Sequence, residues 1–291
     1  MVTKASASDD NRIHIKEKKA LYFIEKGTGQ PIVLIHGSLS DFRDWQFQID
    51  KFAQAYRVIS YSRRYAYLKQ RIGNDDDDYD YDTIPNNVVD LVELIIKRLS
   101  LGRAHIIGHS YGAFIALYLA FEHPDLVKTL VLGEPPVISL LTANPQYTTD
   151  VDTIKENAFK YSLVQETLHR GETERAVRIF LDAVNDKEGF FYQLPSQARA
   201  MIMDNAKSLG GELASMSQHF TCEDAQKVGV PTLLIKGEQS PKFLHDIIDI
   251  LASCLPNNEQ ITIPEESHEL GRMEKHEVFN MHVLEFLSKH S

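Results

Sequence analysis

The chain has 291 residues, with 31 Lys and Arg against 41 Asp and Glu, a formal net charge of −10 at pH 7 that argues against a phosphate-backbone partner. Apolar residues make up 43% and charged residues 25%, the balance of an ordinary soluble globular protein that buries a large core without staples. Two cysteines, Cys222 and Cys254, are too few for a disulfide framework and point to a reducing compartment; with no signal-peptide core in MVTKASASDD and no apolar run of bilayer length, the expectation is a cytoplasmic chain without membrane or nucleic-acid partners.

Residues 1–11 are small and polar and read as a flexible tail. Strand patterns follow at IHIKEK and ALYFIEKG, and then at IVLIHG, which is too apolar for a strand with one wet face and reads as the centre of a buried sheet. A helix is expected over DWQFQIDKFAQA and a strand at YRVISYS. A second helix should start at the N-cap Thr83 and bury Val88, Leu91, Val92, Ile95 and Leu99. AHIIG is the next strand, YGAFIALYLAFEH a helix stopped near Pro124, and KTLVLG another strand. Such alternation implies a mostly parallel sheet covered on both faces.

From residue 137 to 228 the alternation stops, and only helical patterns occur, among them TERAVRIFLDAVN and PSQARAMIMDNAKSL. It resumes with VPTLLIKGE, the helix PKFLHDIIDILASC, the strand EQITIP and a closing helix HEVFNMHVLEFLSKH. The chain therefore divides into an α/β core over 12–136 and 229–291 and a helical insertion over 137–228, a lid whose aromatic and Met side chains (Phe159, Tyr161, Phe180, Phe190, Phe191, Tyr192, Met201, Met203) mostly pack the lid and in part line a pocket. The acidic run NDDDDYDYD, 74–82, lacks the alternating ligands and turn glycine of a calcium loop and reads as a solvated surface loop rather than a metal site. Arg63 and Arg64, after a strand end, are expected to pair with it rather than with a substrate.

Within IIGHSYGAF, residues 108–112 fit G-x-S-x-G, with an apolar strand before and a helix after. In so tight a turn a side chain at Gly108 or Gly112 would collide with the neighbouring element, so Ser110 is a candidate nucleophile. A serine hydroxyl needs an adjacent base. Of the twelve histidines, His268 in ITIPEESHEL follows the last strand, where the chain order Ser…acid…His puts the imidazole. His14, His123, His169, His245, His276, His282 and His290 are set aside as surface residues, His36 as structural, and His109 as turned away from the nucleophile.

Taken together, IVLIHG, GHSYG, LVLGEPP, LLIKGE and IPEESHEL resemble the α/β-hydrolase fold from about residue 12 onward. The resemblance implies an eight-stranded type of sheet with helices on both faces and an inserted helical cap. It also implies an acid at G-x-x-D after the penultimate strand, but here that stretch is Gly237-Glu238-Gln239-Ser240. The other acid position in the family follows an earlier strand, as in haloalkane dehalogenases and zearalenone lactonases. There this sequence has Glu134, which leaves Glu238 as the alternative. By the same resemblance, an oxyanion hole would use the backbone N–H groups of Tyr111 and Ser38, with Leu39 as the neighbour that could replace Ser38.

The expected function is hydrolysis of a small carboxylic ester or lactone through Ser110, His268 and Glu134, with no cofactor and no metal. Rival readings on the same fold are a carbon–carbon bond hydrolase, a cofactor-free dioxygenase in which the histidine deprotonates the substrate, and a small-molecule receptor that keeps the triad. Substrate identity and the choice between monomer and homodimer are not legible at this level.

Overall fold

The apolar runs become the interior of one eight-stranded sheet in the computed structural model, which describes residues 12–16, 19–67, 82–94, 99–143, 151–270 and 275–291. The strands are β1 Arg12–Lys16, β2 Lys19–Lys26, β3 Pro31–Ile35, β4 Arg57–Tyr61, β5 Ala104–His109, β6 Val127–Gly133, β7 Thr232–Gly237 and β8 Asn258–Ile263. They lie in the order β1-β2-β4-β3-β5-β6-β7-β8, with β1 and β2 antiparallel to their neighbours and every pair from β4 to β8 parallel. The chain passes from β3 outward to β4, then returns to lay β5 on the other side of β3. The strand order therefore reverses between β3 and β5, and the crevice beyond their carboxyl ends is where ligands bind in open α/β sheets.

The period of two along each strand divides the core. Val33 and Ile35 of β3 join one apolar layer, Ile32 and Leu34 the other. The first layer packs on α2 Ile84–Val92, α3 Tyr111–Glu122 and α11 Lys242–Cys254, the second on α1 Gln46–Phe52 and α12 His276–Lys289. Because both faces are covered, the central strands can be apolar throughout. Thr83 caps α2 as expected, its hydroxyl accepting the Asn86 N–H at 3.3 Å. α3 ends at Glu122, just before Pro124.

Between β6 and β7 the chain forms α4 Ile138–Ala143, α5 Val151–His169, α6 Thr173–Asn185, α7 Phe190–Gln193, α8 Ser196–Asp204, α9 Leu209–Ser215 and α10 Cys222–Ala225. No strand occurs there among the described residues. The tail 1–11, residues 74–81 of the acidic run and the side chain of Phe159 lie outside the described residues. No helix of the described residues is long and apolar enough to cross a membrane.

One expectation fails. Cys222 at the start of α10 and Cys254 at the end of α11 form a disulfide, with Cα atoms 5.3 Å apart. Two cysteines do not make a framework, but they can make one staple, and α10 packs against α11 so as to bring them together. The inference of a reducing compartment from cysteine number loses its basis.

Candidate active site

β5 ends on His109 and α3 begins on Tyr111, so Ser110 alone makes the reversal. Its backbone pays for that with φ 52° and ψ −125°, a sparsely populated conformation that persists only where the surroundings hold it. The Ser110 N–H donates to the Gly133 carbonyl at 2.7 Å, and the Ser110 carbonyl accepts from the Ala113 N–H at 2.8 Å. The flanking glycines are needed for space. A Cβ on Gly108 would lie 2.4 Å from the Gly112 carbonyl oxygen, and one on Gly112 would lie 2.3 Å from that of Ile35.

The structure brings Ser110, His268 and Glu134 together from three separate loops. His268 Nε2 is 3.0 Å from Ser110 Oγ, and His268 Nδ1 is 2.7 Å from Glu134 Oε2. A carboxylate only accepts, so Nδ1 carries the proton and Nε2 presents its lone pair to the serine hydroxyl. The second oxygen of Glu134 accepts the Gly237 N–H at 2.8 Å. Glu134 itself sits at φ 47° and is fully buried, while His268 is 5% exposed. The arrangement can therefore take a proton from Ser110 and hold the resulting imidazolium beside a buried carboxylate.

Glu238 does not join them. It is exposed, and its carboxylate accepts the Glu265 N–H at 2.8 Å. Ser240, which stands where the family's pattern has aspartate, is buried in the turn beside Gly237.

His109 departs from the sequence expectation. It does not turn away: its Nε2–H donates to the His268 carbonyl at 2.6 Å, its ring lies 4.8 Å from the His268 ring, and it lines the same cavity as Ser110. A strand-end side chain next to the elbow has only the space opposite the helix, and the 268 loop fills that space. His36 is structural as expected, accepting the Arg63 N–H at 3.0 Å through Nε2 and bonding its neighbour's carbonyl, Gly37 O, through Nδ1 at 2.9 Å.

Ser38 and Leu39 follow β3 at the edge of the same cavity, and Leu39 has φ 55°. Tyr111 is the first residue of α3, where a backbone N–H has no partner within the helix and the helix dipole favours negative charge. The loop carrying Ser38 is clamped from below by a buried charge cluster. The Arg63 guanidinium donates to the Gly37 carbonyl at 3.2 Å, to Asp82 at 3.1 and 3.2 Å, and to Glu212 of α9 at 2.5 Å. It also lies 4.8 Å over the Tyr111 ring, whose hydroxyl donates to the Asp82 carbonyl at 2.9 Å. Burial would lower the Arg63 pKa, but Glu212 and then Asp82 raise it above the ordinary arginine value. Burial pushes the Asp82 carboxyl up to about 6, opposed by Arg63 and helped by Glu212. The pairing of Arg63 with the acidic run is as expected, whereas Arg64 pairs with Asp90 of α2. Nothing in the sequence marked Glu212 as the third member.

The cavity above Ser110 has a volume of about 70 Å³. Nearly half of its wall comes from the insertion: Phe180, Leu181, Val184 and Asn185 of α6, Leu194, and Ala198, Met201 and Ile202 of α8. Of the aromatic and Met side chains singled out in the insertion, Phe180 and Met201 alone reach it among the described residues. Phe190 and Phe191 are buried elsewhere, and Tyr192 is exposed against Arg178. Among the described residues no group of three His, Cys, Asp or Glu side chains is placed to hold a metal ion.

Known proteins resemble the chain in sequence and in fold. It is 27% identical over 183 residues to (E)-2-((N-methylformamido)methylene)succinate hydrolase of Acinetobacter baylyi, covering 60% of this chain and 65%, just under two thirds, of that enzyme. Non-heme chloroperoxidase CPO-A1 of Kitasatospora aureofaciens is 25% identical over 287 residues, covering 92% of this chain and 96% of the relative. The structure of a thermophilic esterase from Thermogutta terrifontis superposes with a TM-score of 0.73 at 21% identity, over 94% of this chain and 95% of that one. The family model for the alpha/beta hydrolase fold matches residues 30–271, and with the sheet order and the elbow already described, the chain belongs to the α/β-hydrolase family.

Proposed function

We propose that the chain is a serine hydrolase acting on a small carboxylic ester or lactone. The observation that carries this reading is the unbroken line of hydrogen bonds from Ser110 through His268 to Glu134 and on to the Gly237 N–H. Ser110 Oγ attacks the carbonyl carbon as its proton passes to His268 Nε2. The negative charge on the former carbonyl oxygen is met by the backbone N–H groups of Tyr111 and Ser38, a contribution of about 3–4 kcal/mol per donor in sites of this kind. His268 then protonates the departing alkoxide. A water molecule, deprotonated by the same imidazole, attacks the acyl-enzyme and restores Ser110.

Glu134 acts through His268, holding the tautomer and balancing the imidazolium. Residues 137–228 serve as a lid, and the small apolar chamber beneath α6 and α8 favours short substrates over long acyl chains.

The reading is tested by turnover of p-nitrophenyl esters of increasing chain length and of simple lactones, with wild type and Ser110→Ala, and by labelling with an organophosphonate. Turnover should decline with chain length, vanish in Ser110→Ala, and stop when one phosphonate is bound at Ser110. Activity that survives Ser110→Ala would instead favour chemistry in which His268 alone takes a proton from the substrate, as in the dioxygenase reading.

A further inference from the structure

The ring of His268 is placed by two partners, and a separate contact holds the backbone that carries it. Glu134 Oε2 lies 2.7 Å from Nδ1, and Ser110 Oγ lies 3.0 Å from Nε2. Both bonds act on the ring, while the Cα is carried by the loop that follows β8. The turn after β7 holds the upstream part of that loop, where the Gln239 N–H donates to the Glu266 carbonyl at 2.7 Å. At His268 itself the hold comes from the elbow: the His109 Nε2–H donates to the His268 carbonyl at 2.6 Å. A carbonyl only accepts, so His109 must be the donor.

That donor is itself held in place. His109 is the last residue of β5, 4% exposed, and pairs in register with Gly133 of β6. Its ring lies in a slot between two glycines: a Cβ on Gly37 would come 3.2 Å from Nδ1, and one on Gly133 would come 3.5 Å from Cδ2. The His268 ring packs on it at a tilt of 41°. His109 and Ser110 are consecutive, so the contacts close a ring. The hydroxyl of one meets the His268 side chain, and the imidazole of the other grips the His268 backbone. The base is thus located from the same turn that presents the nucleophile.

We infer, building on the ester-hydrolase reading, that His109 is a positioning residue: by holding the His268 carbonyl it sets the reach of His268 Nε2 to Ser110 Oγ. Its effect falls on proton transfer, in acylation and deacylation alike, and not on substrate binding. A misplacement of about 1 Å costs on the order of 100-fold in rate. Glu134 still holds the far side of the ring when this bond is lost, so the loss stays at or below that figure.

The test compares His109→Phe, which keeps a ring in the slot and removes the donor, with His109→Gln, whose amide carries an N–H at the reach of Nε2. Hydrolysis of p-nitrophenyl acetate and butanoate is measured in each, with the fold checked by thermal melting. In His109→Phe kcat should fall by roughly 10- to 100-fold while KM stays within about twofold of wild type. His109→Gln should recover kcat to within about threefold of wild type. In a His268→Ala background, which keeps the backbone carbonyl, His109→Phe should change the residual rate by less than about twofold, because no base is left to position. His109→Met, also without a donor, takes the place of the phenylalanine variant if that one unfolds, and unfolding of both would make the residue a determinant of the fold and overturn the inference. It is equally overturned by an undiminished kcat in a folded variant without the donor, by a loss carried in KM, by a glutamine variant no faster than phenylalanine, or by an equal loss in the His268→Ala background. Each of these leaves the hydrolase reading standing. Absence of turnover of every ester, or turnover independent of Ser110, overturns the hydrolase reading and this inference with it.

Discussion

Arg63 and Glu212 stand 149 positions apart in the chain, yet their side chains meet at 2.5 Å with both fully buried. One follows β4 beneath the loop that carries Ser38, and the other belongs to α9 of the insertion. The same guanidinium holds the Gly37 carbonyl, so the inserted helices and the loop beside the nucleophile share one charged anchor. Asn205 makes a second tie of this kind, accepting from the Tyr67 N–H at 2.6 Å and donating to the Asp41 carboxylate at 2.7 Å.

Removing Arg63 leaves two carboxylates buried without their cation. Breaking a buried pair this way costs about 3–5 kcal/mol, so Arg63→Met should lower the thermal midpoint by on the order of 10 °C. It should also lower kcat by about 10- to 100-fold well below the melting range, because Gly37 and the N–H that follows it lose their support. Replacing Arg63, Asp82 and Glu212 together by apolar residues of similar volume should recover most of the stability and little of the rate. Melting curves and ester turnover on the two variants separate the effects, and equal recovery of both would show that the cluster does not position the loop.

Asp82 should give the cluster a pH signature. Its carboxyl is pushed up to about 6 from an ordinary 3.8, mainly by burial, with Glu212 adding and Arg63 opposing. The native state therefore takes up this proton before the unfolded chain does. The resulting stabilisation is complete below about 3.8 and is lost as pH rises through about 6. Asp82→Asn lacks this titration. The thermal midpoint of the variant minus that of wild type should become more positive from pH 4 to pH 7, and a difference that stays flat over that range would contradict the burial of an ionising carboxyl here.

Glu134 bonds His268 with one oxygen and the Gly237 N–H with the other, so both oxygens must accept. Glu134→Gln presents an NH₂ group to one of these two donors. If the group faces His268 it selects the wrong tautomer, and kcat should fall by roughly 10³- to 10⁴-fold with little change in fold. Glu238→Gln, at an exposed position, should stay within about twofold of wild type. The opposite pattern would move the acid to the end of β7.

The parts of this site that could be read in the sequence were those set by local pattern. IVLIHG announced a buried strand because its apolar run is unbroken from Ile32 to Ile35, and Gly108 and Gly112 announced the turn because only glycine fits the contacts it makes. Chain order then suggested His268 and Glu134. What stayed hidden depends on packing between distant segments. His109 sits where it does because the loop at 268 folds over it, and Glu212 reaches Arg63 only once α9 is laid on the core. Asn185 reads in sequence as an ordinary helix-terminal residue, and only the placement of α6 brings it to the cavity that Ser110 lines. The disulfide belongs to the same class, since two cysteines 32 positions apart give no sign of meeting until α10 lies against α11.

That disulfide closes a loop containing the whole of β7, whose last residue, Gly237, holds Glu134 through its N–H. Closing a loop of this length restricts the unfolded chain by about 3–4 kcal/mol in the chain-entropy account. The Cys222→Ser/Cys254→Ser variant, or wild type under a strong reductant, should therefore melt on the order of 10 °C lower than the oxidised protein. Ester turnover at 25 °C should change by less than about twofold, because neither sulfur lines the cavity. Loss of rate at that temperature, with circular dichroism unchanged, would mean instead that the staple sets the position of β7 under the catalytic carboxylate. An unchanged midpoint would mean that the packing of α10 against α11 suffices without the covalent bond.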